Sequence, residues 1–424
     1  MVNFSHSKNS AFFRSAIFTT LGLACLASST LAQTPNQPPT LRQALDAAWE
    51  ISSQSRSLDN RRSELAAKEK AAGSWISGEP VAGLAHRTDR LNKNDGFREV
   101  EAEIEFPLWN RGVRAATQAD LAAQRLDFDG QFALSKLKLA GELRALAASA
   151  ATAQVELDLN KRKLLEANAL TQDLMRRVKA GENARVDALQ TQVLVQQAQA
   201  AMAQAEGQLA RVQSQWRSLT GLATVAPLEE KLAAMAANEA IAAPISADHP
   251  ALRQSQAQLS GAQAKLALAN ADKRDPISIS LGVGIARERG SFAASNETTL
   301  RFALRIPLGG DNRNAPRQAA ARAELDASQA DLDAVQRQLL AEVAAANAEL
   351  LAARTVQIAA SERLRLSTEV QTLITKSWRL GDSDLPTRLR ADNEQFEASL
   401  SLARAAIDVQ RAIANLNQAH GVFP

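Results

Sequence analysis

The 424-residue chain sets 49 Lys and Arg against 46 Asp and Glu, a formal charge of +3, too balanced for a chain built to hold nucleic-acid phosphates. Charged residues at 22% and apolar ones at 46% exclude a self-repelling disordered polymer. Aromatics at 4%, no Tyr, 19 Gly and 13 Pro suit long helices packed through small side chains.

At the N-terminus Lys8 and Arg14 precede an apolar stretch over 16–27, and Thr30-Leu31-Ala32 offers small residues for a peptidase. This predicts a secretory signal peptide over 1–32, cut after Ala32, whose apolar core is too short for a membrane span. Cys25, the one cysteine, lies inside it, with Gly22 where a lipoprotein signal carries Leu; acylation is disfavoured. The processed chain would then hold no disulfide and no thiolate metal site. No later stretch reaches about 18 consecutive apolar residues, so any membrane crossing must use β-strands in a closed barrel.

The remaining chain reads as one pattern written twice. The first repeat, 33–221, opens with a helix over 41–76, turns at Gly78-Glu79-Pro80, and carries strands over about 80–88 and 98–107. A helix of about 70 residues then runs over 111–180, breaks near Gly181, and resumes toward 219. Residues 222–248, with Pro227 and Pro244, read as a linker with a short helix. The second repeat, 249–424, gives a helix over 251–272, strands over about 276–286 and 298–307, and helix over 316–420 broken at Gly381. An offset of 200 aligns Pro107 with Pro307, Leu108 with Leu308, Gly181 with Gly381, Leu189 with Leu389 and Gly221 with Gly421. The expected fold is mainly α with a β-barrel portion, a duplicated helix-strand-strand-helix plan.

Leu143, Leu146, Ala150, Ala153 and Leu157 step by 3 and 4, a coiled-coil seam, and Val343, Ala346, Leu350 and Ala353 repeat it. The 111–180 helix would extend roughly 100 Å at 1.5 Å per residue, longer than a compact globule holds. It is a rod or a stave of a larger tube.

Strand alternation bears on that choice. Val100, Ala102, Ile104 and Phe106 face one way; Glu101, Glu103 and Glu105 face the other. Leu300, Phe302, Leu304 and Ile306 oppose Thr299, Arg301, Ala303 and Arg305, and Ile277 to Ile285 alternates with Ser278, Ser280, Gly282 and Gly284. The facing of the first strand is not fixed by its residues. A half-buried antiparallel sheet has the same alternation, yet no other part of the chain offers a globular core for four strands to cover. Strands of about ten residues cross a bilayer when tilted. Four cannot close a barrel, so several chains must contribute. Glu101, Glu103, Glu105, Arg301 and Arg305 would line the lumen and could pair if their strands are neighbours. Trp75, Phe106 and Trp109 fall where strands meet the interface.

The doubled plan, the strand exits Phe106-Pro107-Leu108-Trp109 and Ile306-Pro307-Leu308-Gly309, the turns at Gly181 and Gly381, and the closing segment from Ala414 to Gly421 resemble the TolC-like outer-membrane efflux family. The stretches 306–316 and 380–385 look more like its cobalt-zinc-cadmium (CzcC-like) branch. The resemblance implies a homotrimer in the outer membrane, with twelve strands in one barrel and twelve helices in a periplasmic α-barrel tunnel. It implies a periplasmic adaptor (membrane fusion) protein and an inner-membrane transporter of the RND type as partners. The adaptor-facing tip would be carried by Gly181, Glu182, Gly381 and Asp382. Family members often constrict the tunnel with acids six and nine residues after this Gly. Asp187 keeps one such acid, but Gln190, Thr387 and Arg390 occupy the other places. Asp187, Asp384 and Arg390 are the constriction candidates, with solvated surface charge the plainer alternative.

No catalytic, cofactor or metal constellation accompanies this plan. His86, His249 and His420 are isolated, and no phosphate-binding Gly-rich loop appears. The reading is a passive, non-enzymatic exit duct of a tripartite pump, with heavy-metal cations as cargo. A duct for type I protein secretion or drug efflux is the alternative; a periplasmic adaptor or a soluble coiled-coil scaffold are more distant ones.

Overall fold

The structure, a computed structural model, describes residues 38–91, 95–232, 245–289 and 294–424. The expected signal peptide and Cys25 lie outside them, as do residues 233–244 of the stretch in which a short linker helix was expected; residues 222–232 and 245–248 hold no helix.

Thr40 opens α1 (Leu41–Ile51) with a capping box: its hydroxyl accepts from the Gln43 N–H, while its own N–H donates to the Gln43 side chain. The single helix expected over 41–76 is two. Ser52 turns extended, and its hydroxyl accepts from the Ser55 N–H to start α2 (Ser53–Ala72). That local acceptor competes with helix continuation, and Gly73 ends the second piece. A hairpin follows, β1 (Val81–Thr88) and β2 (Arg98–Leu108), then α3 (Val113–Lys179), whose 67 residues extend roughly 100 Å. After α4 (Arg185–Thr220) and the segment beyond it come α5 (Pro250–Ala271), β3 (Ile277–Arg289) and β4 (Ala294–Arg305). The chain closes with α6 (Asp311–Leu380) and α7 (Leu385–Ala419). Helix α6 begins before the expected residue 316, taking Pro316 into its second turn and forgoing one backbone hydrogen bond there.

The end of α3 nearer Gly181 packs between α4 and α7, and α7 packs on α6. Toward the sheet, α3 is flanked by α1 and α2 and by α5, which also meets α6. The seam does what its spacing predicts: Leu143, Ala150, Ala153 and Leu157 are buried, as are Val343, Ala346 and Leu350. Trp216, fully buried, anchors the core where Leu41, Leu45, Leu143 and Leu228 converge.

Through this core runs a buried charge. The Arg144 guanidinium donates to both Glu230 oxygens at 2.6 and 2.9 Å, to Gln418 Oε1 and to the Val422 carbonyl. Asn417 donates to Glu230 and to the Lys231 carbonyl, and Gln418 to the Leu137 carbonyl. The network ties α3, the segment after α4 and the C-terminal end of α7 into one collar. Buried, multiply hydrogen-bonded ion pairs of this kind rigidify what they join.

The strands form one antiparallel meander, β1-β2-β3-β4. Register sets Val100 beside Ile285, Ala102 beside Val283 and Ile104 beside Leu281. It then sets Leu281 beside Phe302 and Val283 beside Leu300. It also fixes β1, with Ala82, Leu84 and His86 on that same face.

Candidate functional site: a two-faced sheet and two helical turns

One face of the sheet is apolar and open to its surroundings. Exposure runs from 39% at Ile279 to 71% at Phe302, with Val100, Ile104, Leu281, Val283, Ile285, Leu300 and Leu304 between and Leu84 at 80%. A contiguous apolar surface on this scale marks a membrane or partner face. The outer edges of β1 and β4 pair with no strand among the described residues, and such edges are ready to add further strands.

The opposite face carries most of the charges, Arg98 and Arg287 near the hairpin loops falling on the apolar side, and the acids there are less exposed than the arginines they pair with. Glu101 pairs with Arg301, and Glu105 with Arg305 at 3.2 Å. Arg87 stands 3.8 Å from Glu99. The first two pairs do not join neighbouring strands, since β3 lies between β2 and β4. They close across it because β3 presents only small residues there, Gly282 and Gly284 beneath the Arg301 pair and Ser278 and Ser280 beneath the Arg305 pair. A Cβ added to Gly284 would stand 2.7 Å from Thr299 Oγ1, and one added to Gly282 would stand 3.3 Å from the Ala102 carbonyl. The glycines keep the wall low enough for Arg301 to reach over it.

The junction of sheet and helices is pinned by aromatic and amide contacts. Trp75 and Phe106 rings lie 5.7 Å apart, and Trp109 Nε1 donates to the Ser74 carbonyl at 2.9 Å. Asn110 Nδ2 donates to the carbonyls of Arg274 and Asp275, tying the start of one hairpin to the end of the other.

At the far end, α3 and α4 meet at Gly181 (φ 79°), and α6 and α7 at Gly381 (φ 87°). Both turns close alike. The Glu182 N–H donates to the Arg177 carbonyl, and the Asp382 N–H to that of Ser377. These are Schellman closures, in which the left-handed residue is Gly for want of a Cβ. The side chains offered as constriction candidates differ in local role. Asp187 accepts from Asn183 in the first turn of α4. Asp384 caps α7 by accepting from the Thr387 N–H at 3.0 Å, and hydrogen bonding from the Thr387 side chain, then from that N–H, holds its carboxyl below the usual range. Arg390 reaches back to the Pro386 carbonyl.

Sequence reasoning missed the residue that joins the two turns. Trp378, three positions before Gly381, is buried among Leu170, Leu174 and Leu385. The guanidiniums of Arg177 and Arg388 lie 4.5 and 4.1 Å from its ring centre. Asp173 holds Arg177 at 3.0 Å, and Asp392 lies 3.5 Å from Arg388, whose charge burial disfavours. The available signal was a lone Trp in an aromatic-poor helix beside a turn. These side chains border a groove of about 480 Å³ between α3, α6 and α7.

Among the described residues no group of three or more His, Cys, Asp or Glu side chains is arranged to hold a metal ion. No described helix is long and apolar enough to cross a membrane.

The model of the outer membrane efflux protein family matches residues 245–422. No curated protein sequence matches the chain. Several solved structures share its fold. A membrane protein from Pseudomonas aeruginosa superposes with a TM-score of 0.72 at 17% identity, over 90% of each chain. The Vibrio cholerae outer membrane protein VceC gives 0.71 at 13% identity, over 90% of this chain and 96% of that one. CusC gives 0.71 at 14% identity, over 92% of this chain and 96% of its own. The shared architecture is a mostly helical chain of long helices with a four-stranded antiparallel sheet.

Proposed function

We propose that this chain is one subunit of a homotrimeric outer-membrane duct, the exit of a tripartite efflux pump. The observation that carries the reading is the apolar, outward face of the four-stranded sheet with both edges unpaired. Water penalises that surface, whereas hydrocarbon accepts it, and two matching copies would supply the missing strands. Three chains then contribute twelve strands, and the charged face lines a wet lumen. The helical flanks support the same assembly. Val186, Leu189 and Val193 on α4 are exposed, as are Leu351, Ile358, Leu366, Leu373 and Leu380 on α6. Such rows suit burial against neighbouring copies.

The duct is passive and non-enzymatic. Its helices reach through the periplasm to a tip carried by Gly181, Glu182, Gly381 and Asp382, which meets a periplasmic adaptor and an RND-type inner-membrane transporter. Asp187, Asp384 and Arg390 line the constriction beside that tip. Heavy-metal cations are the cargo, a reading supported by the motifs at 306–316 and 380–385. A duct gains from lacking a tight metal site, because such a site would hold what it should pass.

Membrane fractionation with a heat-modifiable trimer band on a gel tests the assembly; a freely soluble monomer would overturn it. Replacing both Gly181 and Gly381 with bulky residues should abolish efflux while trimers remain in the membrane. A deletion strain should become sensitive to zinc, cobalt or cadmium. Sensitivity to drugs alone, or loss of a secreted protein, would reassign the cargo.

A further inference from the structure

The charged face of the sheet is not evenly neutralised. Between residues 87 and 305 its described strand positions carry Arg87, Glu99, Glu101, Glu103, Glu105, Glu297, Arg301 and Arg305. The three arginines are each taken by one acid: Glu99, Glu101 and Glu105. Glu103, in the middle of β2, has no cationic partner among the described residues, and neither does Glu297 nearer the loop end. The position of Glu103 also differs from that of its paired neighbours. Its cross-strand neighbours are glycine on both sides, Gly83 in β1 and Gly282 in β3. A Cβ on Gly83 would stand 3.0 Å from Glu103 Cγ and 3.3 Å from its Oε1; one on Gly282 would stand 3.3 Å from Glu103 Cβ. The side chain therefore leans into a notch that any larger residue would close.

We infer that Glu103 is a selectivity residue of the barrel: an unpaired carboxylate, recessed between two glycines at mid-height, which makes the lumen prefer cations. The inference rests on the duct reading, in which three copies set three such carboxylates at one level. A wall charge raises the local concentration of counter-ions and lowers that of co-ions. The preference extends about one Debye length, roughly 10 Å at 0.1 M salt and 3 Å at 1 M. Glu101 and Glu105 contribute little while Arg301 and Arg305 hold them, so the preference is set by pairing rather than by the number of acids.

Purified trimers in planar bilayers under a potassium chloride gradient test this through the cation-to-anion permeability ratio. The wild type should favour potassium at low salt. Glu103→Gln should lower the ratio about two-fold, with the difference vanishing near 1 M salt. Glu103→Asp should keep it, and Arg301→Gln, which frees Glu101, should raise it. Each variant is first checked for the heat-modifiable trimer, and Glu103→Gln is nearly isosteric. Conductance with a ratio that Glu103→Gln leaves unchanged would overturn the role of Glu103 and leave the duct standing. Intact trimers that conduct no ions would overturn the duct itself.

Discussion

The sheet and the helical collar use the same pair of side chains to opposite ends. In the collar, Arg144 and Glu230 are 3% and 9% exposed, and all three guanidinium nitrogens donate to partners. In the sheet, Arg301 and Arg305 are more than half exposed and reach over a strand to their acids. Apolar side chains are reversed as well: Leu143 and Trp216 are sealed inside, whereas Phe302 and Leu304 point away from the chain. The difference teaches that an Arg–Glu pair takes its meaning from its surroundings. Exposed pairs contribute about 0–1 kcal/mol and mainly set local charge. Breaking a buried one leaves an uncompensated ion and costs about 3–5 kcal/mol.

The largest effect should therefore come from the collar. Arg144→Met strands Glu230 and should cost about 3–5 kcal/mol, read as a lower temperature for loss of the trimer band. Adding Glu230→Gln should recover much of the loss. Equal costs for Arg144→Met and Arg301→Gln would erase the distinction between the regions. Next comes the sheet's outer face. Phe302→Arg should cost about 2–4 kcal/mol if that face meets hydrocarbon, and deplete the assembled protein in membrane fractions. In a water-facing sheet the same exposed change would fall within about 0.5 kcal/mol.

The sheet was legible in the sequence, and the collar was not. Strand alternation repeats every two residues, so Val100 to Phe106 declares both faces locally. Register was not legible: the glycines of β3 read only as one face of an alternating strand, and nothing local showed that Gly282 and Gly284 lie beneath the Arg301–Glu101 pair. The turns at Gly181 and Gly381 were legible because a left-handed residue excludes most side chains. Arg144 left a fainter mark. It lies with Ala140, Leu143 and Ala147 on the buried stripe, where a charge is out of place, but its partners stand at 230, 418 and 422. No local pattern links such distant positions. Ser52 was lost for another reason: a hydroxyl that caps the next helix looks like an ordinary polar residue inside a long one. Trp378 was visible as a residue, while its arginine neighbours became so only once the two hairpins were packed.

Two glycines 200 residues apart sharpen the comparison within the collar. Gly221 and Gly421 have φ of 72° and 74°. A Cβ at Gly221 meets nothing within 4 Å, whereas one at Gly421 would stand 2.7 Å from both His249 Cδ2 and Pro250 Cδ. Gly221→Ala should cost about 1–2 kcal/mol for the left-handed backbone alone. Gly421→Ala should add about 1–3 kcal/mol of overpacking. Thermal dissociation of the two variants separates the terms, and equal losses would show that the His249 contact yields freely.

The gentlest expected effect is a pH dependence at that contact. His249 Nδ1 accepts the Ala251 N–H at 3.1 Å and so caps α5, which requires this nitrogen to be unprotonated. Burial lowers the His249 pKa most, partly offset by the Ala419 carbonyl and Glu342, while a charge on His420 would lower it further. Burial also lowers the pKa of His420. With the folded values below the unfolded one of about 6.5, the unfolded chain takes up protons first as pH falls. Stability is then fully present above that value and declines as pH drops below it, flattening beneath the folded pKa. The wild type should thus unfold at lower temperature at pH 5.5 than at pH 7.5. His249→Asn keeps a side-chain acceptor for the cap and should shrink the difference. An undiminished pH slope in that variant would place the sensitivity elsewhere in the collar.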